Sequence, residues 1–349
     1  MRRKAATLKD IAARAKVSVA TVSYVLNKTN NPVSEETRQR VLEIAGEMNY
    51  QPNWAAKGLK TARYNAIGVM VEDMRSFFAS SIIDGISQCA EENGLSVILS
   101  NLRMDNKTDI ANYYEIGKHT AWIKEMIQGM MQMQVDGLIY IGAFYRDVHD
   151  LLSNFSVPHA YLYCYASGDS DHPSVYYDDE LAAYEATHHL VDKGHTRIAH
   201  VRGVPNTDPS IDREAGYCRA LREAGLPIEE ELIVTGDFLI EVAYKNILPV
   251  LGAQTPPTAV FVASDYMAKG VYDACQELNL RVPEDISIVG FDDREYAALL
   301  TPPLTTMAMP SHQMGYRAME EMIRAEPIQK SILLSCRMIE RNSVAQRRS

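Results

Sequence analysis

The 349-residue chain lacks any long apolar run: none reaches the roughly 18 residues that cross a bilayer, so no membrane-spanning segment and no membrane partner is expected. Its opening residues, Met1-Arg2-Arg3-Lys4, lead into polar sequence instead of the apolar core of a signal peptide, so export is not expected and the cytoplasm is the expected location. Cysteine is scarce. Cys89, Cys164, Cys218, Cys275 and Cys336 are odd in number, scattered and without C-x-x-C spacing, which argues against both a disulfide framework and a cysteine zinc site and fits reduced thiols. No G-x-G-x-x-G or G-x-x-x-x-G-K-S/T run and no metal-ligand cluster is present, and His188 and His189 are adjacent, so their side chains diverge on a helix. Catalysis, a cofactor and a bound metal are therefore not expected.

At 46% hydrophobic residues the chain can bury ample core, and its length predicts two or three domains. The formal net charge of −10 is unevenly placed. Residues 1–63 hold 12 Lys/Arg against 5 Asp/Glu, a balance of +7, which leaves −17 for residues 64–349. A basic head can displace counterions from a phosphate backbone, while an acidic body is repelled by one.

Residues 8–27 carry the most informative pattern. Leu8, Ile11, Ala12 and Ala15 fall on one face of a short helix with Asp10 in its first turn, and a tight turn at Lys16-Val17 follows. Ser18 is placed to cap a second helix, and Val22, Val25 and Leu26 give that helix a buried stripe. The opposite face carries Val19, Ala20, Ser23 and Tyr24. This is what a helix-turn-helix needs, one helix bracing a second whose early residues enter the DNA major groove. Small side chains at Val19 and Ala20 allow close approach and can meet a thymine methyl, while Thr21 and Ser23 offer hydroxyls to phosphates. A third helix is expected from Ser34 as cap, with Glu35-Glu36 in its first turn and Val41, Ile44, Ala45 and Met48 facing inward.

This run resembles the lactose-repressor/galactose-repressor (LacI/GalR) family of bacterial transcription regulators, which open on a pattern close to T-L-x-D-I-A-x-x-A-x-V-S-x-A-T-V-S-x-V-L-N. Thr7, Leu8, Asp10, Ile11, Ala12, Ala15, Val17, Ser18, Ala20, Thr21, Val22, Ser23, Val25, Leu26 and Asn27 all match. Most members have Arg where this chain has Tyr24. An Arg there suits guanine O6 and N7, a contact Tyr cannot make, so the operator half-site is expected to differ at the facing base. The resemblance also implies a hinge helix in the 49–65 segment, matched by Tyr50, Asn53, Ala56 and Leu59, with Leu59 wedging into the minor groove of a kinked operator. Trp54 and Gly58 depart from the pattern, and Gly58 makes folding the hinge on DNA costlier by up to about 1 kcal/mol per subunit.

From residue 66 onward, continuous apolar runs alternate with amphipathic segments: strands at 67–71, 96–100, 136–141 and 158–163 with helices over 80–93, up to 134, and over 148–155. The alternation begins anew with helices over 180–193, 211–224, 242–251 and 267–278 and strands at 198–201, 232–234, 259–262 and 286–289. Buried strands between amphipathic helices predict parallel sheets. The expected fold is a small all-α helix-turn-helix head (1–48), a hinge and linker (49–65) and an α/β core of two Rossmann-like lobes in tandem (66–349), periplasmic-binding-protein-like, for effector binding and dimerisation. The 101–131 stretch is about fifteen residues longer than the family usually has. It reads as an elongated surface helix pair, or else as a segment that alters the dimer face or roofs the cleft.

A cleft between two such lobes is a default ligand site. The resemblance implies that Arg213 reaches into it, that Asp292 accepts hydrogen bonds from ligand hydroxyls, that Ser264 is a contact position and that Phe238 stacks on ligand. Phe77 and Phe78 sit in a segment like the family's N-P-F-F, with Arg75 and Ser76 as departures; Tyr163 and Asp178 complete the set, Tyr163 replacing a frequently acidic residue. The function implied is a homodimeric repressor that binds operator double-stranded DNA under the control of a small-molecule effector, with a sugar favoured. The alternatives are the same fold regulated by a phosphoprotein co-regulator, or a solute-binding protein without DNA function.

Overall fold

The computed structural model describes residues 6–26, 32–50, 64–104, 119–169, 172–324 and 331–347. The chain divides into two compact units between Tyr64 and Asn65.

Among the described residues the first unit holds three helices, α1 (Leu8–Ala15), α2 (Val19–Leu26) and α3 (Glu35–Glu47). A reciprocal capping box starts α1: the Asp10 N–H donates to Thr7 Oγ1 and the Thr7 N–H donates to the Asp10 carboxylate at 2.9 Å. Lys16, at φ 56°, ends it in the left-handed region and turns the chain into α2. Ser18 Oγ accepts the Thr21 N–H at 3.0 Å, and Ser34 Oγ accepts the Thr37 N–H to cap α3. Ile11, Ala12, Ala15, Val22, Val25, Val41 and Ala45 form one core, with Leu8, Leu26, Ile44, Met48 and Tyr50 packed against it. These are the inward faces the apolar spacing predicts.

Among the described residues the second unit contains two six-stranded sheets, in the orders β11-β5-β4-β3-β1-β2 and β12-β10-β9-β8-β6-β7. In the first lobe the elements are β1 (Ala66–Val71), α4 (Ala79–Glu92), β2 (Ser96–Asn101), α5 (Thr120–Met131), β3 (Gly137–Ile141), β4 (His159–Leu162) and β5 (Ser174–Tyr177). The second comprises α6 (Asp179–Asp192), β6 (Ile198–Arg202), α7 (Asp208–Glu223), β7 (Ile233–Thr235), α8 (Ile240–Leu251), β8 (Ala259–Val262), α9 (Asp265–Glu277), β9 (Ser287–Asp292) and β10 (Thr305–Ala308). Then come α10 (Ser311–Ile323), β11 (Ile332–Leu334) and β12 (Arg337–Ile339). All pairings are parallel except β10 with β12. The inner strands β1, β3, β4, β8 and β9 are buried along their whole length, which is why they read as unbroken apolar runs.

Two expectations are corrected here. The lobes are not in tandem: α10 packs on α4, β11 pairs with β5 in the first sheet, and β12 returns to the second. Three connections therefore cross between lobes, at Asp178, at Met309-Pro310 and at Ser335-Cys336. Helix packing at the α4–α10 crossing depends on glycine, because a Cβ on Gly85 would strike the His312 carbonyl and one on Gly315 the Ile82 carbonyl. Nor is 148–155 helical. Val148 N–H donates to the Tyr165 carbonyl, Asp147 Oδ1 accepts the His149 N–H, and His149 sits at φ 56°, so the segment is a series of turns. Val148, Leu151 and Leu152 still bury their side chains, which satisfies the apolar spacing without a helix.

Of the long 101–131 stretch the described residues give one helix, α5, with Ile123, Ile127 and Met130 buried against Met70, Leu138 and Tyr140 of the sheet. Residues 105–118 of that stretch lie outside the described residues. Among the described residues no helix is long and apolar enough to cross a membrane.

Candidate functional site

In the head, the capped turn sets the face that α2 presents. Val19 and Tyr24 are each 41% exposed, Ala20 is exposed and Ser23 and Thr21 are half-buried. The residues expected to meet DNA thus form one accessible surface, held from behind by Val22 and Val25. Two of them also hold the backbone: Thr7 is in the capping box, and Ser18 Oγ accepts the Thr21 N–H. Tyr50 packs on the head core, where burial raises its hydroxyl above the ordinary pKa. The expectations for Asn27, Asn53, Ala56 and Leu59 fall outside the described residues.

In the second unit the strand ends of both lobes bring aromatic and charged side chains together. Arg213, in the second turn of α7, is 2% exposed. Its Nε donates to Asp179 Oδ1 at 2.6 Å, Nη2 to the Tyr177 hydroxyl at 3.0 Å and Nη1 to the Ala263 carbonyl, while the guanidinium stacks 3.8 Å from the centre of the Phe291 ring. A guanidinium has five N–H donors, so two remain beyond these bonds. Asp292 Oδ1 stands 3.9 Å from Nη1, near enough for attraction though not for a hydrogen bond.

Asp292 ends β9 at φ 117° and Asp293 follows at 56°, backbone positions that cost on the order of 1–3 kcal/mol each and concentrate at functional sites. Arg294 then folds back so that its Nε donates to Asp292 Oδ2 at 3.0 Å. Its guanidinium lies 3.9 Å from the centre of the Phe77 ring, on the opposite lobe. Like the bond from Arg213 to Tyr177, another contact spans the lobes where the Tyr165 hydroxyl donates to Asp208 Oδ2 at 3.2 Å. Phe78 meets Tyr163 edge-on, and Tyr163 stacks on Tyr177 with their hydroxyls 2.9 Å apart.

The acids here are crowded and dry. Burial pushes Asp179 up to about 6 even though Arg213 pulls the other way. Burial, reinforced by the charge of Asp292, pushes Asp265 up to about 8, and burial raises Asp292 itself. Asp265 holds the loop: its carboxylate accepts the Thr306 hydroxyl at 2.6 Å and the Arg294 N–H at 2.8 Å. The site thus gathers rings, guanidinium groups and a carboxylate at one place; of Phe77, Phe78, Tyr163, Tyr177 and Phe291, Phe77 is the exposed ring.

Of the residues expected at this cleft, Phe77, Phe78, Tyr163, Arg213 and Asp292 are joined by this chain of contacts. Phe238, at φ 57°, lays its ring over Gly203 just beyond β6, where no Cβ would fit. Ser264 and Asp178 act as helix caps, Ser264 Oγ accepting the Met267 N–H and Asp178 Oδ1 the Leu181 N–H at 2.8 Å. Arg75 is exposed, with its N–H on Asp73 Oδ1.

Sequence reasoning missed Arg294, Tyr177 and Asp179. The Tyr177-Asp178-Asp179 run carried the signal, since an acid at a helix start next to a strand end is where an arginine partner is useful. A group that the sequence does not mark by spacing also forms: His159, Asp169 and His172 converge in the first lobe, their ligating atoms all within 4.8 Å of one another. They are ten and three residues apart in the chain, and only the return of the loop after β4 brings them together.

Residues 7–53 match the family model described as "Bacterial regulatory proteins, lacI family", and residues 187–344 match a periplasmic binding protein-like domain. The ribose operon repressor of Escherichia coli (strain K12) is 33% identical over 319 residues, covering 91% of this chain and 92% of its own. The structure of the lac repressor dimer bound to operator and the anti-inducer ONPF is similar with a TM-score of 0.79 and 27% identity, over 98% of this chain and 100% of that one. The transcriptional regulator CelR in complex with cellobiose matches with a TM-score of 0.64 and 25% identity, over 97% and 99%.

Proposed function

The chain belongs to the LacI family of bacterial regulatory proteins, whose members are DNA-binding transcription regulators and not enzymes, and from that premise we propose the following division of labour. Residues 1–48 read the operator through the exposed face of α2, with Val19, Ala20 and Tyr24 toward the bases and Thr7, Thr21 and Ser23 toward phosphates. Residues 49–65 form the hinge, in which Leu59 wedges between base pairs. Residues 66–349 dimerise and bind a small-molecule effector between the lobes, and the whole works in the cytoplasm, where the operator is.

The effector is a carbohydrate. The observation that carries this is the chain of contacts in which Arg213 lies on Phe291 and beside Asp292, Arg294 lies on Phe77, and Phe78 meets Tyr163: guanidinium and carboxylate suit vicinal hydroxyls, and an aromatic ring suits the apolar face of a sugar. The similarity to a ribose operon repressor and to a cellobiose-bound regulator supports the same choice.

Control follows from linkage. Arg294 over Phe77 and Tyr165 on Asp208 join the lobes, so a ligand that prefers one lobe arrangement shifts the population of the hinge state that fits DNA. By reciprocity, operator DNA changes effector affinity by the same factor. Dimerisation places two heads on half-sites about one helical turn apart.

The test is a thermal-shift and calorimetric screen of the full chain against pentoses, hexoses and disaccharides, followed by mobility shift on a selected operator. One sugar class is expected to bind, and to change operator affinity. Leu59→Ala should lose operator affinity and bending while effector binding stays. Failure of every sugar to bind, with the operator still recognised, would remove the carbohydrate reading; unchanged operator affinity in Leu59→Ala would remove the hinge.

A further inference from the structure

The cluster of His159, Asp169 and His172 lies in the first lobe, at the start of β4 and in the loop that leads from β4 to β5. His159 is wholly buried and Asp169 nearly so, while the His172 side chain is 29% exposed. His159 Nδ1 lies 3.0 Å from the Val157 carbonyl oxygen, which can only accept, so the Nδ1 hydrogen is engaged there. In a neutral imidazole that leaves a lone pair on Nε2, and Nε2 faces Asp169 Oδ2 at 2.7 Å. The same oxygen already accepts the Tyr161 hydroxyl at 2.8 Å. At that distance Nε2 needs either a proton to donate to Oδ2 or a cation bound by both atoms. His172 Nδ1 approaches the other carboxylate oxygen, Asp169 Oδ1, at 2.7 Å, with its ring stacked on His159 at 3.5 Å between centres.

We propose that His159 Nε2, Asp169 and His172 Nδ1 bind a divalent transition-metal ion of the zinc class. Protonated His159 and the Nδ1–H form of His172 would hold the carboxylate by hydrogen bonds alone, whereas one metal ion would be bound by both imidazoles and the carboxylate together. Two imidazoles and a carboxylate are the ligand set of a three-residue zinc site, which takes a water as its fourth ligand, and the open edge at His172 gives water and ion a way in. The surroundings are those of a metal site as well: the Val157 carbonyl orients one imidazole and the Tyr161 hydroxyl orients the carboxylate. Ion binding would fasten the loop between β4 and β5, which carries Tyr165 and its contact to Asp208 on the other lobe. The metal is thus a second input, separate from the cleft.

The experiment uses the full chain freed of metal by chelator dialysis, titrated with Zn²⁺ against a chromophoric chelator and with Co²⁺ by visible absorption. One equivalent is expected per chain, with a Co²⁺ spectrum lacking thiolate charge-transfer bands. His172→Ala and Asp169→Asn should each weaken binding by more than tenfold, and Tyr161→Phe by about tenfold, the lower end for an outer-shell partner. Stoichiometric uptake that survives both ligand substitutions, uptake with a thiolate spectrum, or no uptake at all would overturn the proposal. If neither ligand variant folds, the melting temperature of the unaltered protein decides: a rise with Zn²⁺ that Mg²⁺ does not give supports the site, and no rise overturns it.

Discussion

Replacing Arg213 with lysine keeps the charge and removes the fork. Three of the arginine's donors reach Asp179 at 2.6 Å, Tyr177 at 3.0 Å and the Ala263 carbonyl, and its plane lies on Phe291. A lysine ammonium on its shorter reach can hold Asp179 but not the other two partners at once. The Tyr177 hydroxyl stays paired with Tyr163 at 2.9 Å, so the loss there is one charge-assisted bond. The Ala263 carbonyl loses a charged donor in a buried place. At roughly 1.5–3 kcal/mol for each bond to a charged group, the sum is about 3 kcal/mol or more. At about 2 °C per kcal/mol for a large domain, the melting temperature of the core unit should fall by roughly 6 °C. Calorimetry of the full chain without ligand measures this, with Arg202→Lys as control. Arg202 bonds Glu214 at 2.8 Å but is about one-third exposed, so its loss should cost less than about 1 kcal/mol. Effector affinity should fall at least about tenfold in Arg213→Lys. Were the variant to melt with the unaltered protein and bind effector as tightly, Arg213 would not organise the cleft.

Three further outcomes are expected. Thr7→Ala removes one half of the capping box on α1 and should destabilise the head by about 1 kcal/mol, read as weaker operator binding in a mobility shift with effector binding unchanged. Tyr24→Arg should shift the preferred half-site toward guanine at the facing base by about 1–3 kcal/mol; selection from a random DNA pool that returns the same site for both proteins would contradict the docking of α2. Asp265 is pushed up to about 8 against 3.8 in an unfolded chain, so folding favours its protonated form. That contribution is complete below the unfolded value and is lost as pH rises toward the folded one. Asp265→Asn, which mimics the neutral acid, should flatten the fall in melting temperature between pH 4 and 8; an unchanged slope would show that Asp265 does not titrate there.

The head was almost wholly readable from the chain because each inward residue, from Leu8 to Met48, recurs at helical spacing, and each cap is a Ser or Thr followed three residues later by the N–H it accepts. The central strands were readable because burial on both faces leaves only apolar residues. What could not be read is where the chain goes next: β11 has only Ile332, Leu333 and Leu334, and nothing local says that it pairs with β5 and not with β10. The turn segment at 148–155 misled because Val148, Leu151 and Leu152 carry helical spacing while Asp147 and Tyr165 take the backbone bonds elsewhere. Resemblance pointed to Arg213 and Asp292. It did not reveal Arg294 crossing to Phe77, because that contact depends on how far the lobes close. Nor did it reveal Asp169 between two histidines, because three side chains on a strand and a loop share no spacing rule.

Anisotropy titration of the full chain, at one moderate salt concentration, against a duplex recovered by selection and against sheared genomic DNA, with and without saturating effector, tests the central claim most directly. The selected duplex should bind at least about a thousandfold more tightly than bulk DNA, and effector should change that ratio. Equal affinity for both DNAs, unmoved by any ligand that binds the cleft, would contradict it.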